Sequence, residues 1–335
     1  MKRLINVVFL LMFVMASEAQ TLVAVTDKEF ALHGNKHDYE SLSIYWWPNE
    51  ETADGMPYVE KDGVYNPEYK KYDYPRLLQL RSNLNNSAAR FLSTGNKKDF
   101  DDFCKQLDVW FLNKGTRMNP NFSYSQFIPG RNGSVGQAGG IIDAYNFLSI
   151  FDNIDDINSR QSLGWSRNRN MRKWAKNFYK WLLNSPQGKE ESRRTNNHGL
   201  AYDVICYRFA MFVGDKEGCR EIARSFAEKR INSQINADGR QPEELRRTRA
   251  FKYSCYNLEH MVDFCEILSR DGINYIDGDG SRIKEALLFL APFLDNPKSF
   301  PYQEIGSWQE GENMLKKQIK RCKELSNDPR IKRLK

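Results

Sequence analysis

The sequence has only 6 cysteines and 4 histidines in 335 residues, and it has no long apolar run after residue 20. Without a second apolar run of about 20 residues, no transmembrane helix is expected beyond the N-terminus. The cysteines form no Cys-x-x-Cys pair, and most of them lie at apolar positions of helical patterns. We expect buried thiols, and an oxidising compartment would permit one or two disulfides.

The N-terminal segment has the features of a secretory signal peptide. Lys2 and Arg3 precede the apolar run LINVVFLLMFVM, and small residues follow before Gln20. We predict that residues 1–19 are a signal peptide, that residues 20–335 form one domain, and that the protein is periplasmic or secreted. After signal removal no membrane association is expected.

The composition is compatible with an acidic partner. The formal net charge is +7 at pH 7, and the chain contains 7 Trp, 16 Tyr and 20 Phe. A basic surface attracts anions, and aromatic rings offer flat surfaces on which sugars stack. Nucleic-acid binding is not expected, because the sequence carries no motif for it and begins with an export signal.

Helical periodicity dominates the sequence after about residue 75. Residues 199–213 are apolar on nearly every side and are followed by Gly214, whereas residues 171–185 and 256–272 are amphipathic. Helices of alternately buried and amphipathic character, joined by short glycine turns, predict two layers of helical hairpins. We therefore predict an all-α fold, an incomplete (α/α) toroid of hairpins around one open cleft.

Two segments, residues 38–75 and 119–140, do not have helical periodicity and are rich in proline, glycine and aromatics. Long irregular segments in a compact domain are often functional. We predict that they contact a sugar substrate, and the candidate side chains are Trp46, Trp47, Gln126, Arg131 and Gln137.

Two further segments carry groups suited to acid–base chemistry. In RRTNNHGLAYD, residues 193–203, Asn197 directly precedes His198. In RQPEELRRTRAFKYSCYNLEH, residues 240–260, a helix starting near residue 243 would place four polar side chains on one face, because they are spaced by three or four residues. These are Arg246, Arg249, Tyr253 and Asn257. Such a face suits a pocket that binds a carboxylate and transfers a proton.

This set of groups can perform β-elimination on a uronic acid polymer. An amide and an arginine can neutralise the sugar carboxylate and stabilise the enolate that develops. A base removes the C5 proton, and an acid protonates the leaving O4. Tyrosine normally titrates near ~10, but an adjacent guanidinium favours the phenolate and a histidine can share the proton. The reaction requires no metal or cofactor, and His33 and His37 lack the third ligand that a metal site needs.

Four stretches, in this order, resemble the alginate lyase domain family of exported bacterial polysaccharide lyases. They are YWWPNEETADGMPYVEKDGVYNPE, FIPGRNGSVGQAGGIID, NNHGLAYD and QPEELRRTRAFKYSCYNLE. The resemblance implies an (α/α) toroid and an acidic polysaccharide substrate. It implies that Asn197 and His198 are the catalytic pair. It also implies that Arg246 binds the carboxylate and that Tyr253 transfers the proton.

The stereochemistry of the sugar determines which group is the base. In mannuronate and glucuronate, H5 and O4 lie on one face, so Tyr253 can both take and return the proton. In guluronate they lie on opposite faces, and His198 would be the base. We predict syn elimination on mannuronate-rich alginate, with His198 assisting and with Asn197 and Arg246 neutralising the carboxylate. The Trp-Trp-Pro block is similar to a branch with glucuronan-active relatives, so glucuronan is the alternative substrate.

Other interpretations stay open at this point. A non-catalytic polyuronate-binding protein on the same toroid would not need Tyr253. A hydrolase would need two carboxylates beside the sugar bond, for which Asp203, Glu243 and Glu244 are available. Asn196 or Asn197 would in any case suit a helix N-cap, in which case His198 is incidental.

Overall fold

The computed structural model describes residues 21–270, 272–278 and 281–334. Its α-helices are α1 Tyr74–Thr94, α2 Lys97–Leu107, α3 Leu148–Arg160, α4 Trp165–Asn184, α5 Pro186–Glu191, α6 Asn197–Val213, α7 Lys216–Phe226, α8 Pro242–Leu245, α9 Ala250–Ser269, α10 Ile283–Leu290, α11 Pro292–Asp295, α12 Trp308–Leu325 and α13 Pro329–Lys332. Four short strands accompany them: β1 Glu40–Leu42, β2 Trp46–Trp47, β3 Val59–Glu60 and β4 Tyr124–Phe127. The predicted signal peptide lies outside the described residues and stays a prediction.

The helices form two layers, which confirms the predicted all-α (α/α) architecture. Helices α6 and α9 are buried along most of their length and pack against each other. The amphipathic helices α4 and α7 cover α6 from outside, and α12 covers α9. Because an all-round apolar helix can only be stable between other helices, the sequence pattern of residues 199–213 identified the inner layer.

The ends of α6 follow local sequence signals. The side chain of Asn196 accepts a hydrogen bond from the backbone N–H of His198 at 3.2 Å and caps the helix. At the other end Gly214 adopts the left-handed conformation with φ +80°. Other predicted helices are shorter than expected: α10 ends at Leu290 because Pro292 cannot continue it.

The two irregular segments pack against each other. Strand β1 pairs in parallel with β4, and β2 pairs with β3 in antiparallel fashion. A small apolar cluster of Leu42, Tyr58, Phe127 and Ile128 lies beneath them, separate from the main core. Strands of two to four residues are too short to produce an alternating pattern, which is why the sequence did not predict them.

The main core contains a group of interlocking aromatic rings. Phe178 contacts the rings of Phe122, Phe147, Trp174 and Phe209 at centroid distances between 5.0 and 5.7 Å. In the described part of the chain no cysteine is in a disulfide, and five of the six are buried. Within the same residues, no helix is long and apolar enough to cross a bilayer.

Candidate active site

A cleft of about 820 Å³ opens between the inner helices α6 and α9, the first turns of α1 and the two irregular segments. Asn197 and His198 at the start of α6 line it, and so does Tyr253 in the first turn of α9. Three of the predicted sugar contacts also line it, namely Trp46, Gln126 and Gln137. The fold therefore brings the two distant polar segments of the sequence to one place.

Asn197 is buried and held by a carboxylate. Its backbone N–H and its side-chain Nδ2 donate to the two oxygens of Glu244, at 2.9 and 2.8 Å. Burial raises the pKa of Glu244, and the hydrogen bonds from Asn197 oppose that rise. Because Nδ2 carries two hydrogens and Glu244 accepts only one of them, the second N–H of Asn197 is available to a ligand.

His198 is held in the same manner by Glu191. Its Nδ1 lies 2.8 Å from Oε1 of Glu191, a carboxylate that is fully buried and is also 2.9 Å from Nε of Arg194. A carboxylate only accepts hydrogen bonds, so Nδ1 carries the proton and Nε2 of the neutral imidazole keeps its lone pair. This arrangement leaves His198 with one nitrogen that can accept a proton in the cleft.

Tyr253 has a polar and cationic environment although it is only 8% exposed. Its hydroxyl shares a short hydrogen bond with the hydroxyl of Tyr45, and the guanidinium of Arg247 lies 3.9 Å from its ring centroid. Burial raises the pKa of Tyr253, whereas the charge of Arg247 and the hydrogen bond from Tyr45 oppose that rise. The two neighbours therefore favour the phenolate that a proton-abstracting tyrosine needs.

The structure corrects the predicted arginine. Arg246 does not line the cleft: its side chain is 70% exposed and its ion-pair partner is Glu243. The chain leaves helical geometry between α8 and α9, so the predicted continuous helical face from residue 243 does not exist. Arg247 occupies the place expected for Arg246, and its Nε and Nη2 donate to Asp62 at 3.2 and 2.5 Å.

Two other members of the predicted face also lie outside the cleft. Arg249 is 3% exposed and donates to Glu310 at 2.9 Å, which ties α9 to the start of α12. Asn257 is fully buried and donates to Gln241 at 2.8 Å. With the helix starting at Ala250, the cleft side of α9 instead carries Tyr253, Tyr256, Glu259, His260 and Asp263.

The predicted sugar contacts divide into two groups. Trp47 and Arg131 do not line the cleft: Trp47 donates its indole N–H to Val64, and Arg131 stacks on Trp46 at 4.7 Å. Gln126 does line it, and Asp143 orients its amide through a 2.9 Å hydrogen bond. Gln126 has φ +47° next to a register shift in the β1–β4 pair. A non-glycine residue in this conformation is strained, and such strain is often found at functional sites.

The cleft has further cationic side chains that the sequence analysis did not identify. Arg81, Arg194, Lys252 and Lys317 line it together with Arg247. Within the described residues Arg81 forms no ion pair, so its charge is available to an anion. Nothing in the local sequence around Arg81 distinguishes it from other arginines on exposed helix faces.

The three carboxylates considered for a hydrolase do not line the cleft. Asp203 is buried in ion pairs with Lys229 and Arg230, Glu243 pairs with Arg246, and Glu244 holds Asn197. These residues do not provide the predicted pair of carboxylates beside a sugar bond. Of the carboxylates that do line the cleft, Glu259 pairs with Lys317, Asp263 pairs with Arg321 and Asp143 accepts a hydrogen bond from Gln126.

Comparisons with known proteins find matches to one family. The family model for alginate lyase matches residues 24–300. The crystal structure of an alginate lyase from Bacteroides ovatus superposes with a TM-score of 0.87 at 36% identity, covering 90% of this chain and 81% of that one. A variant of alginate lyase A1-III complexed with a tetrasaccharide has a TM-score of 0.56 at 15% identity, covering 81% and 70% of the two chains, and shows similarity of fold alone. Comparison with curated proteins gives no significant match.

Proposed function

Since this chain belongs to the alginate lyase family, and is thus a polysaccharide lyase, we propose that it cleaves mannuronate-rich alginate by β-elimination without a metal. The observation that carries this proposal is the convergence of Tyr253, His198, Asn197 and Arg247 on one cleft. The similar Bacteroides ovatus protein is an alginate lyase, which supports alginate as the substrate class.

Binding begins with the sugar carboxylate. In the proposed complex the second N–H of Asn197 and the unoccupied donors of Arg247 bind the carboxylate of the uronate whose C5 reacts. Asp62 fixes the guanidinium through Nε and Nη2, so that Nη1 remains for the substrate. Because both donors are held by buried or half-buried carboxylates, they need little reorganisation as charge moves onto the carboxylate in the transition state.

Proton transfer follows at the same face of the sugar. The phenolate of Tyr253 takes the C5 proton, C4=C5 forms as the C4–O4 bond breaks, and Tyr253 returns the proton to O4. His198 accepts a hydrogen bond through Nε2 and thereby assists the charge changes at Tyr253 and the sugar. One residue is sufficient as base and acid because H5 and O4 of mannuronate lie on one face.

The reaction product provides the direct test. Each elimination creates a C4=C5 double bond conjugated with the carboxylate, which absorbs in the ultraviolet. Incubation with polymannuronate, polyguluronate and glucuronan in separate reactions should give the fastest absorbance increase with polymannuronate. A faster increase with glucuronan would replace the proposed substrate but keep the mechanism. No increase with any of the three polymers would contradict the lyase activity on these uronates.

Glu191 provides a second test, because it sets the orientation of His198. Glu191→Gln keeps the size of the side chain but removes its charge and lets an amide N–H face Nδ1, so the histidine tautomer is no longer fixed. We expect kcat on polymannuronate to fall about 10-fold, with a smaller change in KM. The control is Glu190→Gln, since Glu190 pairs with Arg194 but does not contact His198. Equal kcat values for the two variants would contradict the orienting role of Glu191.

A further inference from the structure

Three tyrosines and a lysine form a connected path from the cleft interior to solvent. The hydroxyl of Tyr253 bonds to that of Tyr45, whose ring lies parallel to the ring of Tyr65 at a centroid distance of 5.4 Å and an angle of 9°. Lys252 Nζ donates to the Tyr65 hydroxyl at 3.1 Å. Exposure increases along the path, from 8% at Tyr253 to 45% at Tyr65. All four side chains line the cleft.

The path provides a way for Tyr253 to lose its proton. Tyr253 must lose a proton before the first turnover, yet it is buried and the burial disfavours its phenolate. Within the described residues its hydroxyl has one hydrogen-bond partner, Tyr45. A proton leaving Tyr253 along hydrogen bonds must therefore pass to Tyr45 and then to Tyr65, because a side-chain hydrogen bond between Tyr45 and Tyr65 contributes to the lowered pKa of Tyr65.

The proposal rests on the proposed lyase function and extends it. We propose that Tyr65 and Lys252 hold the resting phenolate of the site as an ion pair, and that Tyr45 passes a proton from Tyr253 to Tyr65. Tyr45 and Tyr65 are positioning residues in this scheme, because they act through Tyr253. The scheme assigns a role to the aromatic segment of residues 45–65, which contributes both phenols.

The surrounding charges support Tyr65 as the resting place of the negative charge. Burial opposes ionisation of Tyr65, but the hydrogen bond and charge of Lys252 outweigh it, and the pKa of Tyr65 is lowered. Tyr45 has the opposite shift, since burial and the neighbouring phenols raise its pKa. The other titratable or charged groups around the two ends of the path are Arg247, Arg249, Tyr74, Tyr256 and Glu310. Lys252 also contacts Glu310, whose Oε2 lies 3.1 Å from Nζ.

The transfer balances in protons and charge. The Tyr65 phenolate accepts the hydroxyl proton of Tyr45 while Tyr45 accepts the hydroxyl proton of Tyr253. Two O–H bonds break, two form, and the negative charge moves from Tyr65 to Tyr253. During elimination Tyr253 gains the C5 proton and loses it to O4, so the phenolate is regenerated and no external base is consumed.

The pH dependence of kcat/KM on polymannuronate tests the proposal. The rate should rise with pH as the phenolate forms, and the midpoint of this rise reports the pKa of the connected group in the free enzyme. Without Tyr65 the phenolate must form on the buried Tyr253 itself, so Tyr65→Phe should shift the midpoint upward by about 1 pH unit or more. A purely structural role would lower the rate at every pH and leave the midpoint unchanged, which would overturn the proposal.

Variants of Lys252 separate the charge from the packing. Lys252→Met removes the cation and should shift the midpoint upward like Tyr65→Phe, whereas Lys252→Arg keeps a positive charge and should restore most of the shift. The control is Tyr302→Phe, which removes a phenol that does not line the cleft. A midpoint that moves equally in the control and in Tyr65→Phe would contradict the proposal.

A titration without substrate distinguishes this proposal from the lyase function. Phenolates absorb near the red edge of the protein ultraviolet spectrum, so the ionisation of the tyrosines can be followed directly. Wild type should show one phenolate forming below the ordinary tyrosine range near ~10, and Tyr65→Phe and Lys252→Met should lack it. If this early phenolate persists in Tyr65→Phe, the proposed resting ion pair is wrong even when the enzyme cleaves alginate. If it disappears but no polymer is cleaved, the lyase assignment fails and the ion pair stands.

Discussion

Replacing Tyr253 with phenylalanine should lower kcat on polymannuronate by about 10²–10⁴-fold, the range typical of a lost general acid–base group. The phenol hydroxyl is the only group removed, and it is the group proposed to take the C5 proton and to protonate O4. Arg247, Asn197 and the rest of the cleft remain, so the affinity for mannuronate oligomers should change little. Ultraviolet product formation measures the first quantity, and isothermal titration with the oligomers measures the second.

A matched substitution one turn along α9 controls for loss of any cleft phenol. Tyr256→Phe removes a hydroxyl from the same side of the helix, where Tyr256 packs its ring against His260 at 4.3 Å. We expect a loss of less than about 10-fold, because this hydroxyl does not exchange a proton with the sugar. If Tyr253→Phe keeps more than about one tenth of the wild-type kcat, its proton-transfer role is excluded.

Arg247→Ala should have the second large effect, on both binding and turnover. The variant loses the donor that neutralises the uronate carboxylate, and it loses the cation 3.9 Å from the Tyr253 ring. Removal of one preorganised donor at a developing negative charge typically costs about 10²–10³-fold in kcat. We expect a loss of at least that size in kcat/KM. Arg247→Lys should recover only part of it, because an ammonium cannot contact Asp62 and a carboxylate through one planar fork.

The adjacent Arg246 is the control for this experiment. It differs from Arg247 by one position in the sequence, but its side chain is 70% exposed and pairs with Glu243 outside the cleft. Arg246→Ala should therefore change kcat/KM by less than about 2-fold, as expected for an exposed ion pair. The reverse result, a large loss for Arg246→Ala and a small one for Arg247→Ala, would mean that residues 246–249 do not adopt the conformation described here.

Much of the fold could be predicted from the sequence because its signals are local. The apolar residues of the segment after Gly199 identify a buried helix, and Asn196 and Gly214 define its ends through their own hydrogen bonds and backbone preferences. The position of Asn197 and His198 at the start of that helix follows from the cap. The structure bears out the all-α architecture for the same reason, since hydrophobic periodicity reports which faces of each helix are buried.

The identity of the site arginine was decided by tertiary contacts. Helical spacing alone placed Arg246 with Tyr253, but the segment between α8 and α9 is held outside helical geometry by distant partners. Asp62 accepts hydrogen bonds from the backbone N–H and the hydroxyl of Thr248, at 3.1 and 2.8 Å. The carbonyl of Thr248 in turn accepts from the N–H of Ile305 at 3.0 Å. Asp62, which is 186 positions away in the sequence, and Ile305 thus hold the chain so that Arg247, not its neighbour, faces the cleft.

The carboxylates that orient the site were also decided by tertiary contacts. Glu191, Glu244, Asp62 and Asp143 each hold one polar side chain of the cleft. In the sequence they are ordinary acidic residues, because their roles depend on burial and on partners that only folding brings near. The sequence by itself determined the helical layers and the residue types available for elimination. The tertiary structure decided which arginine and which phenols face the cleft, since these depend on hydrogen bonds between segments far apart in the chain.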